Sequence, residues 1–288
     1  MKSRKFSLFA IINTFILTVY GIIVFYPFYN AVIVSITSEK EYVTSKFALF
    51  PKEPTLNAYV EIFNRGWLLD SYKATLFIVT IGVVYSMLMT MLCAYAMSRP
   101  SFFGKKAILS FMLIPMFFSG GLIPFYLLIR SLGLMNSLWA IILPSGISTF
   151  YMLLMKNFFE SIPRSLEESA KLDGANDFRI LISIIVPLSK PIIATVVLFT
   201  LVDLWNDWYR PMLFITSTSK RPLQLALRAM LATATSNMKS EGSLKAQQVY
   251  IEGVKMAAVV VTMVPVMLVY PFLQKYFAKG IMIGAVKG

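Results

Sequence analysis

The first long apolar stretch, FSLFAIINTFILTVYGIIVFYPFYNAVIVSI at residues 6–36, contains no charged side chain. As a helix, a run of this length crosses the roughly 30 Å of hydrocarbon in a bilayer. It follows the basic segment 1–5 and has no small-residue cleavage site. We therefore expect it to remain in the protein as a signal anchor, and it predicts a chain whose outer face meets lipid.

Comparable apolar runs recur along the chain and predict an all-α integral membrane protein of about six spans. Hydrophobic residues make up 57% of the 288 positions and charged residues only 14%, against roughly 25% charged in a soluble domain. One membrane domain over residues 1–288 accounts for this composition. The predicted spans are residues 7–36, 74–98, 104–120, 136–158, 190–215 and 254–277.

The formal net charge is +13, from 27 Lys and Arg against 14 Asp and Glu. These cations are scattered between apolar runs, so anionic lipid headgroups explain them and nucleic acid is not an expected partner. Basic residues flank the spans at 1–5, 99–106, 158–190 and 275–287, which predicts a multi-pass protein of the cell membrane with both termini cytoplasmic. The other loops are also basic, which an acidic saccharide substrate and lipid contact explain equally well.

Several kinds of chemistry are excluded by residues that the chain lacks. It has no His, and its single Cys is Cys93, so a Ser-His-Asp triad, a metal site built on His or clustered Cys, and a disulfide within the chain are excluded. No G-x-x-x-x-G-K-[ST] loop is present to hold nucleotide phosphates. We expect no catalytic residue, metal or cofactor in this chain, so energy for any transport comes from a partner or a gradient.

Helix-breaking residues cluster between Pro115 and Pro124 at the expected outer end of the third span. One interpretation is a broken helix that lines a substrate path. The other, which we favour, is a span followed by a short interfacial helix at 122–132, because Gly and Pro are common in membrane helices.

The most polar cytoplasmic stretch is SIPRSLEESAKLDGANDFR at residues 161–179. Ser165 and Glu168 have the spacing of a capping box that begins a short helix. Gly174 is suited to the left-handed conformation that ends it, and Asp177 could cap a second helix. We expect a helix-turn-helix just outside the membrane.

The first of these helices is expected to carry a small apolar surface with a charged rim. Such a face either docks into a groove of another protein or lies on lipid, and its local chemistry favours neither. The apolar residues are Leu166, Ala170 and Leu172, and the rim residues are Glu167, Glu168, Lys171 and Asp173.

The segment from Glu168 to Gly174, followed by Ile184-x-Val-Pro187, resembles the EAA loop of ABC importer permeases. That pattern reads E-A-A, three residues, G, nine residues, I-x-L-P, and this chain departs from it only at Ser169 and Val186. The segment WNDWYRP at 205–211 and the ending GIMIGAVKG at 280–288 are similar to the MalG-type carbohydrate branch. Within that branch the chain looks most similar to Gram-positive oligosaccharide importer permeases.

The resemblance implies a type I ABC importer permease with a coupling loop at about 160–187. Such a chain is not an enzyme: it pairs with a second homologous permease and moves a sugar, which we expect to be an oligosaccharide. Two partner ATPase subunits hold ATP and Mg, and a lipid-anchored extracellular binding protein delivers the sugar. The residues implied to couple to the ATPase are Glu168, Ser169, Ala170, Asp173 and Gly174, with a possible contact through the tail at Gly284, Lys287 and Gly288.

Polar and aromatic residues crowd the fifth span, where Asp203 would lie near mid-membrane at about 1.5 Å per residue from Lys190. A carboxylate there costs about 2.5–3.5 kcal/mol on insertion scales, so it should face the protein interior or water. Asp207 and Arg210, three residues apart, could instead neutralise each other. The candidate substrate path is Asp203, Trp205, Asn206 and Asp207.

Two other functions fit the same carboxylates. Asp203 and Asp207 could be the ion or proton sites of a gradient-driven secondary transporter. They could also be the catalytic pair of a membrane enzyme, although no second motif accompanies them. The EAA-like loop favours the importer, because a gradient-driven carrier has no use for it.

Overall fold

The structure is a computed structural model, and it describes residues 8–44, 49–64, 66–237, 251–269 and 271. Every regular element in these ranges is a helix, and Thr37 and Pro54 form an isolated bridge. The helices are α1 Leu8–Ile36, α2 Glu39–Thr44, α3 Asn57–Asn64, α4 Trp67–Ser98, α5 Lys105–Phe117, α6 Leu122–Ser131, α7 Trp139–Ile142, α8 Thr149–Glu160, α9 Arg164–Leu172, α10 Asp177–Ile180, α11 Val186–Leu188, α12 Lys190–Asn206, α13 Tyr209–Phe214, α14 Leu223–Asn237 and α15 Ile251–Val269. Single turns of 3₁₀ helix lie at Leu143–Ser145 and Thr218–Lys220, and a π-helical turn joins α10 to α11.

Within the described residues, four helical stretches are long and apolar enough to cross a membrane, namely α1, α4, Trp139–Glu160 and α15. Two further pairs qualify if each bent pair is one span. The helices α5 and α6 meet at 115°, and Asp177–Leu188 meets α12 at 84°. The expectation of about six spans therefore agrees with the helices in number, and the predicted short helix after the third span is present as α6.

The prediction of an unbroken fifth span over 190–215 is wrong. Helix α12 ends at Asn206, and α13 begins at Tyr209. Pro211 explains the break, because it has no N–H to offer the carbonyl four residues earlier and its ring would crowd that carbonyl. The fourth span is also interrupted, with a 3₁₀ turn at Leu143–Ser145 between α7 and α8.

The chain divides into two compact units, the first made of Met1–Leu68 with Leu227–Pro265. Within it, the hydroxyl groups of Ser35 and Tyr59 lie 2.8 Å apart and connect α1 to α3. The most apolar window of α1 has none of its residues buried. Such a surface is suited to lipid or to another membrane chain.

The second unit is made of Leu69–Ala226 with Val266–Gly288. Its main core, which we call the Tyr95 core, joins α4, α8 and the segment that leads into α12. Its helices pack closely against each other at two glycines. A Cβ on Gly146 would lie 2.8 Å from the Tyr85 ring, and a Cβ on Gly82 would lie 2.7 Å from a methyl of Leu204. The buried members of the Tyr95 core are Met87, Ala94, Tyr95, Met97, Met152, Met155, Phe159, Ile162, Ile180, Leu181, Ile185 and Val196.

Candidate functional site

The predicted helix-turn-helix is present as α9, a turn at Gly174 and α10. Gly174 has a φ of 80°, as expected for the left-handed residue that ends a helix. The backbone N–H of Gly174 donates to Lys171 at 3.0 Å, and that of Ala175 donates to Ala170 at 2.9 Å. These bonds satisfy carbonyl groups in the last turn of α9 and fix the conformation of the turn.

Both predicted caps are wrong, by two residues at the start of α9 and by one residue at the start of α10. Helix α9 begins at Arg164, directly after Pro163 in an extended conformation, so Ser165 lies inside the first turn and no side chain caps the helix. Helix α10 is capped by Asn176, whose side-chain oxygen accepts a 2.8 Å bond from the N–H of Arg179. Asp177 instead forms an ion pair with Lys171 at 3.3 Å across the turn.

The predicted coupling residues divide between two faces of this motif. Glu168, Ser169, Asp173 and Gly174 are exposed, while Ala170 packs against the Tyr95 core. Leu172, predicted as part of the apolar surface, is 90% exposed. The residues of the predicted tail contact, Gly284, Lys287 and Gly288, lie outside the described residues.

Glu167, predicted on the charged rim, is instead buried, with 8% of its surface exposed. Its carboxylate accepts a hydrogen bond from the guanidinium of Arg99, the first residue after α4, and the two groups form an ion pair. Burial lowers the pKa of Arg99 from its usual value, an effect that the nearby Tyr95 and Asp177 oppose. A pocket of about 150 Å³ lies beside this pair, with Ser101, Arg164 and Glu168 in its wall.

A second charged cluster lies at the end of α8. Glu160 accepts from Lys105 at 2.8 Å and from Lys156, one turn earlier, at 2.7 Å. The first of these contacts joins the start of α5 to the end of α8. The base of the polar loop is thus tied to a neighbouring span.

Within the membrane region, a pocket of about 180 Å³ brings together polar side chains from three spans. Asp203 of α12 accepts a 2.7 Å hydrogen bond from the hydroxyl of Tyr151 in α8. Asp203 therefore lines a cavity, and its place in a substrate path stays a prediction. The other polar residues of the pocket wall are Ser86, Ser145, Ser148, Thr200 and Arg210.

The remaining residues of the predicted path do not line this pocket. Trp205 is buried in the protein, with 5% of its surface exposed. Asn206 is exposed and accepts a 3.2 Å hydrogen bond from Gln224. Asp207 pairs with Arg210 at 2.6 Å, so the predicted neutralisation of these two charges is confirmed.

Asp207 also organises the break in the fifth span. Its Oδ1 accepts the backbone N–H groups of Tyr209 and Arg210, each at 3.2 Å, at the start of α13. Arg210 in turn donates to the Ser145 hydroxyl at 2.7 Å and to the Ile141 carbonyl at 3.3 Å, beside the 3₁₀ turn of the fourth span. The interruptions of the two spans are therefore held together by one guanidinium.

Sequence reasoning missed Arg99, Tyr151 and Ser145. Arg99 carried a readable signal, because it follows a span directly and lies one helical turn after Tyr95, which places the guanidinium 4.4 Å from the ring centroid. Tyr151 and Ser145 gave no local signal, since their partners lie 52 and 65 residues away. Among the described residues, no group of three His, Cys, Asp or Glu side chains could hold a metal ion.

Comparisons with known proteins agree with these features. The sequence model of the family of binding-protein-dependent transport system inner membrane components matches residues 86–283. The chain is 40% identical to the polygalacturonan/rhamnogalacturonan transport system permease protein YtcP of Bacillus subtilis, over 100% of both chains. It is 39% identical to the protein LplC of the same organism, over 100% of this chain and 97% of that protein.

A solved structure is similar over nearly the whole chain. It is the crystal structure of a bacterial ABC transporter involved in the import of the acidic polysaccharide alginate, and the TM-score is 0.84 at 32% identity. The match covers 96% of this chain and 99% of that one. With the exposed EAA-like loop and the apolar spans, these matches show that the chain is a multi-pass membrane protein and belongs to the family of binding-protein-dependent transport system inner membrane components, the permease subunits of ABC importers.

Proposed function

We propose that this permease imports an acidic oligosaccharide, of the kind released from uronate polymers. The observation that carries this substrate class is the full-length identity of 40% to a permease named for polygalacturonan and rhamnogalacturonan. The structure of similar fold at 32% identity belongs to an importer of another acidic polysaccharide. A net charge of +13 also favours an anionic substrate near the membrane surface.

Helix α9 would couple ATP hydrolysis on the partner subunits to movement of the permease. The exposed side chains of Glu168 and Asp173 present carboxylates next to the exposed apolar Leu172, a surface suited to a groove with a basic rim on an ATPase subunit. The turn at Gly174 and the contacts inside the helix-turn-helix let the motif move as one body. ATP and Mg would be bound by two such ATPase subunits and not by this chain.

The pocket around Asp203 would form one wall of the sugar path. Its hydroxyl groups and carboxylate can exchange hydrogen bonds with sugar hydroxyls. At about 180 Å³ it is smaller than the roughly 300–1,000 Å³ of most ligand sites. A second, homologous permease would supply the opposite wall and make the working unit a heterodimer.

The orientation follows from the same assignment. With α9 on the cytoplasmic side, an even number of spans places both termini in the cytoplasm. The break at Asp207 then lies toward the outer side, where a lipid-anchored binding protein would deliver the sugar.

A gradient-driven carrier is not favoured by the geometry around its proposed ion sites. Asp207 is held by Arg210 at 2.6 Å and by two backbone N–H groups, so both of its oxygens already have partners within the protein. The exposed coupling loop has no role in such a carrier. The membrane-enzyme alternative fails on the same carboxylate, because Asp207 is committed to Arg210.

Reconstitution tests the proposal directly. The chain would be purified from its native membrane in mild detergent with whatever proteins accompany it, then placed in liposomes with trigalacturonate outside and ATP inside. We expect a second permease and an ATPase to co-purify, and we expect uptake that needs ATP and survives a proton ionophore. Uptake of maltotriose in preference to trigalacturonate would refute the acidic class, and uptake abolished by the ionophore would refute the ATP-driven mechanism.

A further inference from the structure

Two adjacent carboxylates of α9 have opposite surroundings. Glu168 is exposed, whereas the side chain of Glu167 is 10% exposed and forms its ion pair with Arg99. Adjacent residues of a helix point about 100° apart, so the two side chains diverge although both border the same pocket. One carboxylate faces outward, and the other attaches α9 to the body of the permease.

The Arg99 guanidinium is fixed by its own helix before it reaches Glu167. Its Nε and Nη2 donate to the Ser98 hydroxyl at 3.0 and 2.9 Å, and that hydroxyl donates to the Tyr95 carbonyl at 2.7 Å. Its plane lies over the Tyr95 ring, with 4.4 Å between the guanidinium carbon and the ring centroid. Nη1 then donates to Glu167. The pair therefore joins α9 to the last turn of α4 with little freedom at either end.

Helix α4 runs from this joint to the pocket. Ser86 lines the pocket wall, and Tyr85 packs against Gly146 in the interrupted fourth span. At about 1.5 Å per residue, the 12 residues from Ser98 back to Ser86 span roughly 18 Å of continuous helix. A displacement of α9 that pulls on Arg99 would move a rigid rod whose other part forms the pocket wall.

We infer that Arg99 and Glu167 are positioning residues that transmit the movement of α9 to α4, and through α4 to the pocket around Asp203. The inference rests on the proposed function, because it takes α9 as the helix that an ATPase subunit moves. It assigns different roles to the two adjacent glutamates. Glu168 contacts the ATPase subunit, and Glu167 transmits the movement of α9 to α4.

The test measures sugar moved per ATP hydrolysed in liposomes that hold the whole importer, with trigalacturonate as the probe. In Glu167→Gln and Arg99→Gln we expect normal recovery of the complex and continued ATP hydrolysis. The ratio of sugar to ATP should fall roughly 2- to 30-fold, the range that a coupling change of about 0.5–2 kcal/mol produces. Ser98→Ala, which keeps both charges and removes the hydroxyl that orients Arg99, should lower the ratio by a smaller factor.

Glu168→Gln is the matched control, one residue away on the exposed face. It should reduce recovery of the ATPase, as the loss of a docking contact does, whereas Ser165→Ala, exposed on the same helix, should keep the normal ratio. An unchanged ratio in Glu167→Gln, Arg99→Gln and Ser98→Ala overturns the inference and leaves the proposed function standing. If the two charge variants do not assemble, Ser98→Ala decides by the same criterion. Absence of ATP-driven uptake by the unaltered complex removes both proposals.

Discussion

The hydroxyl of Tyr151 donates a 2.7 Å hydrogen bond to Oδ2 of Asp203, so that α8 and α12 meet through a polar contact inside the membrane region. Asp203 is exposed to the pocket, and its other oxygen accepts no hydrogen bond from the described part of the chain. A carboxylate in this position is costly unless it meets water or a polar partner. The contact with Tyr151 supplies one such partner and directs the carboxylate.

We predict that Asp203→Asn lowers trigalacturonate uptake at least about tenfold, because a hydrogen bond to a charged group is worth roughly 1.5–3 kcal/mol. Recovery of the complex with its partners should stay the same. Tyr151→Phe is the companion variant, since it keeps the ring that stacks on Phe199 and removes the hydroxyl. Normal uptake by an intact Asp203→Asn complex would remove Asp203 from the sugar path.

The ion pair of Asp207 and Arg210 should stabilise the break in the fifth span. Their side chains are 12% and 27% exposed, so removing either partner leaves a charge with little water around it. We expect Asp207→Asn and Arg210→Gln each to destabilise the protein by about 1–3 kcal/mol, less than a fully buried pair would lose. Thermal unfolding in detergent measures the change, and the double variant should show a coupling of at least about 0.5 kcal/mol. Strict additivity would mean that the two side chains act independently.

Gly146 should not tolerate a side chain. A Cβ there would lie 2.8–3.1 Å from two ring carbons and the hydroxyl oxygen of Tyr85, whose rigid ring does not give way easily. We predict that Gly146→Ala destabilises the protein by about 1–3 kcal/mol, the usual cost of overpacking. Gly120→Ala is the matched control, because a Cβ at Gly120 meets nothing within 4 Å. Equal unfolding temperatures for the two variants would contradict the close approach of α4 to the 3₁₀ turn.

Glu168→Ala should weaken the association with the ATPase and leave the membrane fold intact. The side chain is exposed, so its loss removes no internal contact of the kind that Glu167 makes. We expect at least a tenfold lower yield of co-purified ATPase, since losing one partner of a charge pair in an interface costs about 2–5 kcal/mol. Ser165→Ala, also exposed on α9, serves as the control. A full yield of ATPase with Glu168→Ala would count against this docking surface.

The spans were predictable because their signal is local. An apolar run long enough to cross the bilayer is visible in the sequence itself, and α1 and α4 lie where such runs occur. The break at 207–208 was also readable in principle, since Asn206 and Asp207 precede Pro211 and both residue types favour helix ends. The prediction extended the helix because the apolar character continues past the break.

The residues of α9 alone could not predict which face of the helix packs against the rest of the protein. Glu167 and Glu168 are chemically identical, and what distinguishes them is Arg99, which is 68 residues away from Glu167 along the chain. The caps failed for a related reason. Asn176 and Asp177 are both good capping residues, and the choice between them depends on the turn that follows Gly174.

The contacts of Arg210 bear on the order in which the protein is made. The fourth span, with Ser145 and the Ile141 carbonyl, is synthesised before the fifth and would already be in the bilayer when Asp207 and Arg210 leave the ribosome. The hydrogen-bond acceptors of the Arg210 guanidinium are therefore already in place when the fifth span inserts. The guanidinium does not have to enter lipid without partners. Disrupting the turn at Leu143–Ser145 should therefore impair biogenesis before it affects transport. The expected signs are slow membrane insertion and degradation by membrane proteases.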